Sequence, residues 1–285
     1  MLAFADAKSR FDSRLKSSRS LLIAGAGDLG SRLARLRVAG GDEVIALRRR
    51  EVAIADNIRS LRVDLATGEG FSRLPRRPDS LVFCAAPDQR TEAAYRALYV
   101  DGLRRLLDTL QPSRLVFVSS TAVYAEDAGE WVDESTLPRA VQFNGRVLLE
   151  AERELAALDG ASVLRLSGLY GPGRETMLGR AREGKANRPR WSNRIHIEDA
   201  TTAVSHLLDG RAAQSVYLGS DNAPVLEFQV QDWLREREGL PSVVADPGAQ
   251  TGRRVANARL RASGWNPAFV DFRAGYAGLP GDPAL

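Results

Sequence analysis

Between residues 25 and 30 the chain reads Gly25-Ala26-Gly27-Asp28-Leu29-Gly30, a G-x-G-x-x-G spacing suited to holding phosphate with backbone alone. Glycine at the first position permits a tight turn, at the second lets the backbone approach a pyrophosphate, and at the third lets a helix pack closely on a strand. A helix opening at Asp28 and Leu29 would present unpaired N–H groups and positive potential to the anion. About 20 residues further on, a site for NAD carries an acid that bonds the ribose 2′-hydroxyl. This chain has Leu47-Arg48-Arg49-Arg50 there. Guanidinium groups grip phosphate bidentately, so Arg48 and Arg49 predict NADP as the better match, with NAD as the alternative. The chain has two histidines, His196 and His206, and one cysteine, Cys84, with no Cys/His cluster and no H-E-x-x-H, so no metal site is expected.

The elements around that loop follow from the spacing of apolar residues. Leu21–Ala24 is a strand, and Leu29, Leu33 and Leu36 recur at helical spacing until Gly40-Gly41 ends the helix. Further strands are expected at Glu43–Leu47, Ser60–Val63, Ser80–Ala85, Arg114–Ser119, Ser162–Ser167 and Ser215–Leu218. Long helices are expected near Thr91–Leu110, with Leu98, Leu103, Leu106 and Leu110 inward, and near Val141–Leu158. Such alternation implies a mostly parallel sheet covered on both faces. Right-handed crossovers then make it a doubly wound α/β sheet, a Rossmann fold, with a small C-terminal substrate-side region.

Residues 1–18 read as an N-terminal extension, and 19–170 as the dinucleotide-binding core, continued by about 195–220. The glycine- and proline-rich stretches 171–194 and 221–285 look like a substrate-side cap rather than further sheet. The 285 residues, 44% hydrophobic and 27% charged, suit a globular protein and exclude disordered, collagen-like and coiled-coil chains. With a formal charge of +4 and acids interspersed among the arginines, no nucleic-acid footprint is expected. No apolar run approaches the roughly 20 residues a membrane span needs. A single cysteine and no signal peptide favour a reducing cytoplasm.

Several segments together resemble the extended short-chain dehydrogenase/reductases, the NAD-dependent epimerase/dehydratase family, and within it the atypical, YeeZ-like branch. Asp64-Leu65 is similar to the family's adenine contact, and Cys84-Ala85-Ala86 to the small-residue strand end beside the cofactor. Ser119-Ser120-Thr121-Ala122-Val123-Tyr124, Tyr170-Gly171-Pro172-Gly173 and His196-Ile197-Glu198-Asp199 resemble further family segments, in family order, and Leu260–Trp265 the C-terminal helix end. The resemblance implies that Ser120 orients the substrate by hydrogen bonding, with Thr121 as its alternative.

Standard members of that family use Tyr-x-x-x-Lys, in which tyrosine moves the proton and lysine lowers its pKa while holding the nicotinamide ribose. No tyrosine in this sequence has lysine four residues later. The resemblance places the family's tyrosine at Gln142 and its lysine at Arg146. An amide does not titrate in the useful range, and Arg146 can bond ribose hydroxyls without shuttling a proton. Tyr124 is the nearest phenol and the natural substitute acid. His196 could titrate but in the resembling family more often buttresses the fold. Tyr170 and Arg174 stand four apart with a turn between them, which breaks helical geometry. The expected function is an NAD(P)-binding oxidoreductase or epimerase acting on a small molecule, with the proton supplied by a side chain or water. The alternative is a non-catalytic NADP-binding sensor.

Overall fold

The computed structural model describes residues 18–50, 53–184, 189–211, 214–243 and 246–277. The N-terminal extension, apart from Ser18, lies outside the described residues. Strand β1 (Ser20–Ala24) leads through the glycine loop into helix α1 (Asp28–Ala39), followed by β2 (Glu43–Arg48), β3 (Arg59–Arg62) and β4 (Ser80–Phe83). Helix α2 (Glu92–Arg96) runs through a π-helical stretch, Ala97–Gly102, into α3 (Leu103–Thr109). Then come β5 (Arg114–Ser120), β6 (Ala128–Val132), α4 (Phe143–Leu155), β7 (Ala161–Leu166) and β8 (Gly168–Tyr170).

The second half holds α5 (Thr176–Glu183), β9 (Arg190–Ser192), β10 (Arg194–His196), α6 (Ile197–His206), β11 (Val216–Gly219) and β12 (Val225–Leu226). It ends in α7 (Glu227–Arg237), β13 (Thr251–Val255), α8 (Ala258–Ala262) and α9 (Phe272–Tyr276).

Seven strands form the main sheet in the order β11-β7-β5-β4-β1-β2-β3, every pair parallel. Successive strand residues point to opposite faces, and the core divides accordingly. Leu22, Ala24, Phe83 and Phe117 join the cluster under α3 and α4, whereas Leu21, Ile23, Val82 and Val116 join the one under α1 and α6. Both faces are covered, which is why the central strands β1 and β4 read as apolar runs, whereas the edge strand β3 does not. The strand order reverses between β1 and β4, and ligands of such sheets bind outside the carboxyl ends at that point.

The substrate-side region was expected to add no sheet, and here the structure differs. A four-stranded sheet, β12-β9-β13-β6, joins segments from both ends of that region to a strand of the core span, and β8 pairs with β10. Its strands are two to five residues long, and β13 shifts register between Gly252 and Arg254, so no run is long enough to show a period. The C-terminal segment is also tied to the core. Leu260 and Trp265 are buried in the cluster under α6, and the indole Nε1 donates to Thr202 Oγ1 at 3.0 Å.

Candidate functional site

The glycine loop sits where the ends of β1, β2 and β4 converge. Gly25 has φ +105°, and a Cβ there would lie 2.3 Å from the Ala85 main chain. The Gly25 and Ala26 N–H groups both donate to Leu47 O, at 3.3 and 3.1 Å. A Cβ on Gly30 would lie 2.4 Å from Gly25 O and 3.1 Å from Cys84 Sγ. These two glycines are therefore required by packing. Gly27 is different: it is exposed, and a Cβ there would meet no heavy atom within 4 Å. It is the N-cap of α1 and contributes no capping side chain, so the first-turn N–H groups receive no side-chain cap. Leu29 is buried, so what it can offer a ligand is backbone. A walled loop with one open glycine at a helix N-terminus fits a pyrophosphate.

Around the loop lie the other expected cofactor residues. Arg48 ends β2 and is half-buried, and Arg49 is exposed, its two terminal nitrogens bonded to the two carboxylate oxygens of Asp88, beyond β4. Asp64 Oδ1 accepts from Ala66 N at 2.9 Å and Thr67 N at 3.4 Å, which makes it the organiser of its own turn. Leu65 is buried in the core. Ala85 is half-buried against Gly25, and Ala86 is exposed.

On the neighbouring strand, Ser120 pairs in register with Leu166 at the carboxyl end of β5 and is half-buried. Its Oγ accepts from Ala122 N at 3.2 Å and caps the turn Thr121–Val123. A Cβ on Gly145 would lie 2.3 Å from Ala122 O, which puts the first turn of α4 against that turn. Gln142 is the exposed N-cap of α4 and makes no capping bond with its side chain. Arg146, one turn on and exposed, donates from Nη1 to Val141 O at 2.6 Å. The positions that resemble the family's dyad thus lie at the start of the helix packed on the turn after Ser120, and neither carries a general acid.

Tyr124 faces elsewhere. Its hydroxyl donates to Asp133 O at 2.9 Å and accepts from Arg165 Nη1 at 2.8 Å, within the core. Glu152 holds that guanidinium, with Nη2 to Oε2 at 2.6 Å, and Ser119 Oγ donates to Glu152 Oε1 at 2.6 Å. Burial pushes the phenol above its ordinary range despite the nearby arginine. With both hydrogen-bonding capacities used inside the fold, the expected substitute acid does not face the crevice. Between Ser120 and Tyr124 the chain makes the short turn Thr121–Val123, which residue spacing alone does not register.

His196 caps α6, its Nδ1 accepting from Glu198 N at 3.3 Å, and stacks on Phe269 with ring centroids 3.8 Å apart. Burial lowers its pKa, which favours the neutral ring. His206 Nε2 lies 2.9 Å from Ser263 Oγ. Asp199 accepts from Ala268 N and Phe269 N at 2.8 and 2.9 Å and so anchors the C-terminal segment. Tyr170 and Arg174 part company. The tyrosine donates inward to Asp271 O at 3.2 Å, whereas Arg174 Nε donates to Asp28 Oδ2 at 2.9 Å, across the mouth of the glycine loop. Sequence spacing gave no signal for that contact between residues 146 positions apart. A second group it missed is buried beyond β7 and β11, where Ser167 Oγ, Arg194 Nη1 and Asp221 Oδ2 have no hydrogen-bond partner. Among the described residues no three His, Cys, Asp or Glu side chains gather as a metal site, and no helix is long and apolar enough to cross a membrane.

Comparison with known proteins matches residues 21–217 to the model of the NAD dependent epimerase/dehydratase family. A protein called YeeZ, from Escherichia coli strain K12, is 37% identical over 126 residues, which take in 42% of this chain and 45% of that protein. The chain therefore matches under half the length of that curated relative. A solved structure from Methylobacillus flagellatus, described as an NAD-dependent epimerase/dehydratase, superposes with a TM-score of 0.81 at 36% identity, covering 92% of this chain and 98% of that one. MoeE5 in complex with UDP-glucose and NAD superposes with a TM-score of 0.75 at 24% identity, covering 90% and 96%, a likeness of fold.

Proposed function

Because the chain belongs to the NAD-dependent epimerase/dehydratase family, we propose that it is an oxidoreductase or epimerase that binds NADP in preference to NAD and acts on a small polar molecule beside Ser120. The observation that carries this reading is the glycine loop, closed by packing at Gly25 and Gly30 and open at Gly27. Gly25, Gly27 and Gly30, with the backbone of Asp28 and Leu29, would hold the pyrophosphate. Asp64, Leu65, Ala85 and Ala86 would border the adenosine side, and Arg146 would meet ribose hydroxyls. When bound, the dinucleotide supplies a carbon that donates or accepts hydride. Ser120 orients the substrate oxygen through its hydroxyl.

Preference for NADP rests on Arg48 and Arg49 standing where an acid would favour NAD. The carboxylate of Asp88 already occupies the Arg49 fork with the bidentate geometry that a phosphate monoester would take. It is a removable competitor, since both side chains are more than half exposed. Calorimetric titration with NADPH and NADH tests this. NADPH should bind more tightly, Arg48→Ala with Arg49→Ala should erase the difference, and Asp88→Asn should tighten NADPH several-fold without changing NADH. Equal affinities in the wild type would remove the preference.

The sensor reading is favoured by Gln142, since an amide stands where the family's acid would be and the nearest phenol is committed to the core. Catalysis then needs a proton from water, which is chemically ordinary. Single-turnover NADPH oxidation against a panel of carbonyl compounds separates the two: tight binding with no oxidation on any of them supports the sensor. In either reading the partner is a small molecule rather than a nucleic acid or a membrane, and the setting is the cytoplasm.

A further inference from the structure

The carboxylate of Asp28, at the start of α1, is bound by two arginines, one a turn further along the same helix and one from a distant segment. Asp28 Oδ1 accepts from Arg32 Nε at 2.8 Å, and its Oδ2 accepts from Arg174 Nε at 2.9 Å. Burial opposes the charge on Asp28, but these hydrogen bonds outweigh it and hold the carboxyl below its ordinary range. The two arginines differ in what else they do. Arg32 spans α1 and α6, because its Nη1 also bonds Glu198 in the first turn of α6. Arg174 is fixed only through Nε, and its two terminal nitrogens have no partner among the described residues. Its side chain is 32% exposed, and its Asp28 partner directly follows the open Gly27.

The segment carrying Arg174 is a hydrogen-bonded turn. Arg174 N donates to Gly171 O at 3.0 Å, the two residues form an isolated bridge, and Gly171 and Gly173 have φ +121° and +78°. Tyr170 anchors the turn from inside, 4.9 Å from Tyr276 and 5.3 Å from His196 between ring centroids. A turn from the substrate side therefore holds a guanidinium to Asp28 by a single hydrogen bond, and its terminal fork of donors is unused among the described residues. A pyrophosphate entering beside Gly27 meets Asp28 as a repelling charge and Arg174 as an attracting one.

Resting on the reading that this loop binds a dinucleotide, we propose that Arg174 is a pyrophosphate clamp that exchanges its bond to Asp28 for the phosphates of the incoming cofactor, drawing the substrate-side turn against it. Asp28 competes with the phosphates for the clamp, so it opposes binding rather than supporting it. A plain surface tie between two loops makes the contrary demand. Removing either partner would then have the same effect, and a small one.

Calorimetry with NADP+, NAD+ and adenosine 2′-monophosphate distinguishes the two roles, with the thermal midpoint recorded for each variant. Arg174→Ala should weaken NADP+ and NAD+ by the same factor, roughly ten- to a hundredfold for a lost charge-assisted bond, and leave adenosine 2′-monophosphate unchanged because it has no pyrophosphate. Arg174→Lys should keep part of the affinity and guards against misfolding of the alanine variant. Asp28→Asn should tighten both dinucleotides. Opposite signs for the Arg174 and Asp28 variants are the expected result. Effects of one sign, or dinucleotide affinities within twofold of wild type in both, overturn the clamp. If wild-type protein binds none of the three probes, the cofactor reading itself fails.

Discussion

Arg165 Nη1 lies 2.8 Å from the Tyr124 hydroxyl oxygen, and the same guanidinium is held by Glu152 from its other edge. Both charges are buried, with 6% and 8% of their side chains exposed, so the pair depends on complete hydrogen bonding. Tyr124 supplies one of those bonds and passes the network on to the Asp133 carbonyl. A phenol in that position keeps a buried cation satisfied beneath β5 and β7. It has no donor left for a substrate.

Removing that hydroxyl should therefore cost stability rather than cofactor affinity. Tyr124→Phe leaves Arg165 Nη1 and Asp133 O without their partner, and an unsatisfied buried group costs about 1–3 kcal/mol. Denaturant unfolding should show a loss of that size, while calorimetry should show NADPH affinity within twofold of wild type. A tenfold loss of affinity at unchanged stability would return Tyr124 to the crevice.

Glycines of the loop should separate in the same two measurements. Gly27→Val places its side chain in open space, so the fold should survive while dinucleotide binding is abolished. Gly25→Ala forces a non-glycine residue to φ +105° with its Cβ 2.3 Å from the Ala85 backbone. The backbone strain alone is worth about 1–3 kcal/mol, so that variant should unfold early. Wild-type binding by folded Gly27→Val would mean that the loop is structural.

The contrast between those glycines shows what the sequence made legible. Strand, loop and helix are contiguous from Ser20 to Ala39, and the G-x-G-x-x-G spacing is a local property. Parallel strands buried on both faces announce themselves as apolar runs, which located the main sheet to within a residue or two. The pairing of β13 with β6 joins Gly252 to Ala128, and no local period encodes it. Arg174 and Asp28 meet for the same reason, through tertiary placement of a turn. The direction of the Tyr124 ring was hidden too, since residue spacing marks a phenol four positions after Ser120 but not the turn between them. Helix Thr91–Leu110 was legible in its inward leucines but not in its π-helical centre.

Asp221 sets a pH dependence. It is 1% exposed, Oδ1 accepts from Ala223 N at 3.1 Å, Oδ2 has no partner, and burial pushes its pKa from 3.8 up to about 7. The folded protein thus keeps a proton that the unfolded chain releases near pH 4. Between about pH 4 and 7 the native state binds more protons, so stability should fall as pH rises through that window and level off above it. Asp221→Asn should remove that fall, giving a variant more stable than wild type at pH 8 by an amount on the order of a few kcal/mol, and equal to it near pH 4. Parallel stability curves for the two proteins would show that Asp221 stays ionised in the fold.

Ser120 carries the last expectation, because it ends β5 half-buried, whereas the hydroxyl of its neighbour Ser119 is committed to Glu152 in the core. Its Oγ accepts from Ala122 N at 3.2 Å and still has its own proton to give. A hydrogen bond from that proton to a substrate oxygen strengthens as negative charge develops there, and losing such a donor costs roughly 100–1000-fold in turnover. Ser120→Ala should therefore cut single-turnover NADPH oxidation by about that factor, while the lost cap of one short turn changes stability by about 1 kcal/mol. Gln142→Phe should cost little, because the amide supplies no proton to begin with. A Ser120→Ala protein with full turnover would end the assignment of that residue. Loss of turnover in Gln142→Phe with unchanged NADPH affinity would show that the amide positions the substrate in place of the missing phenol.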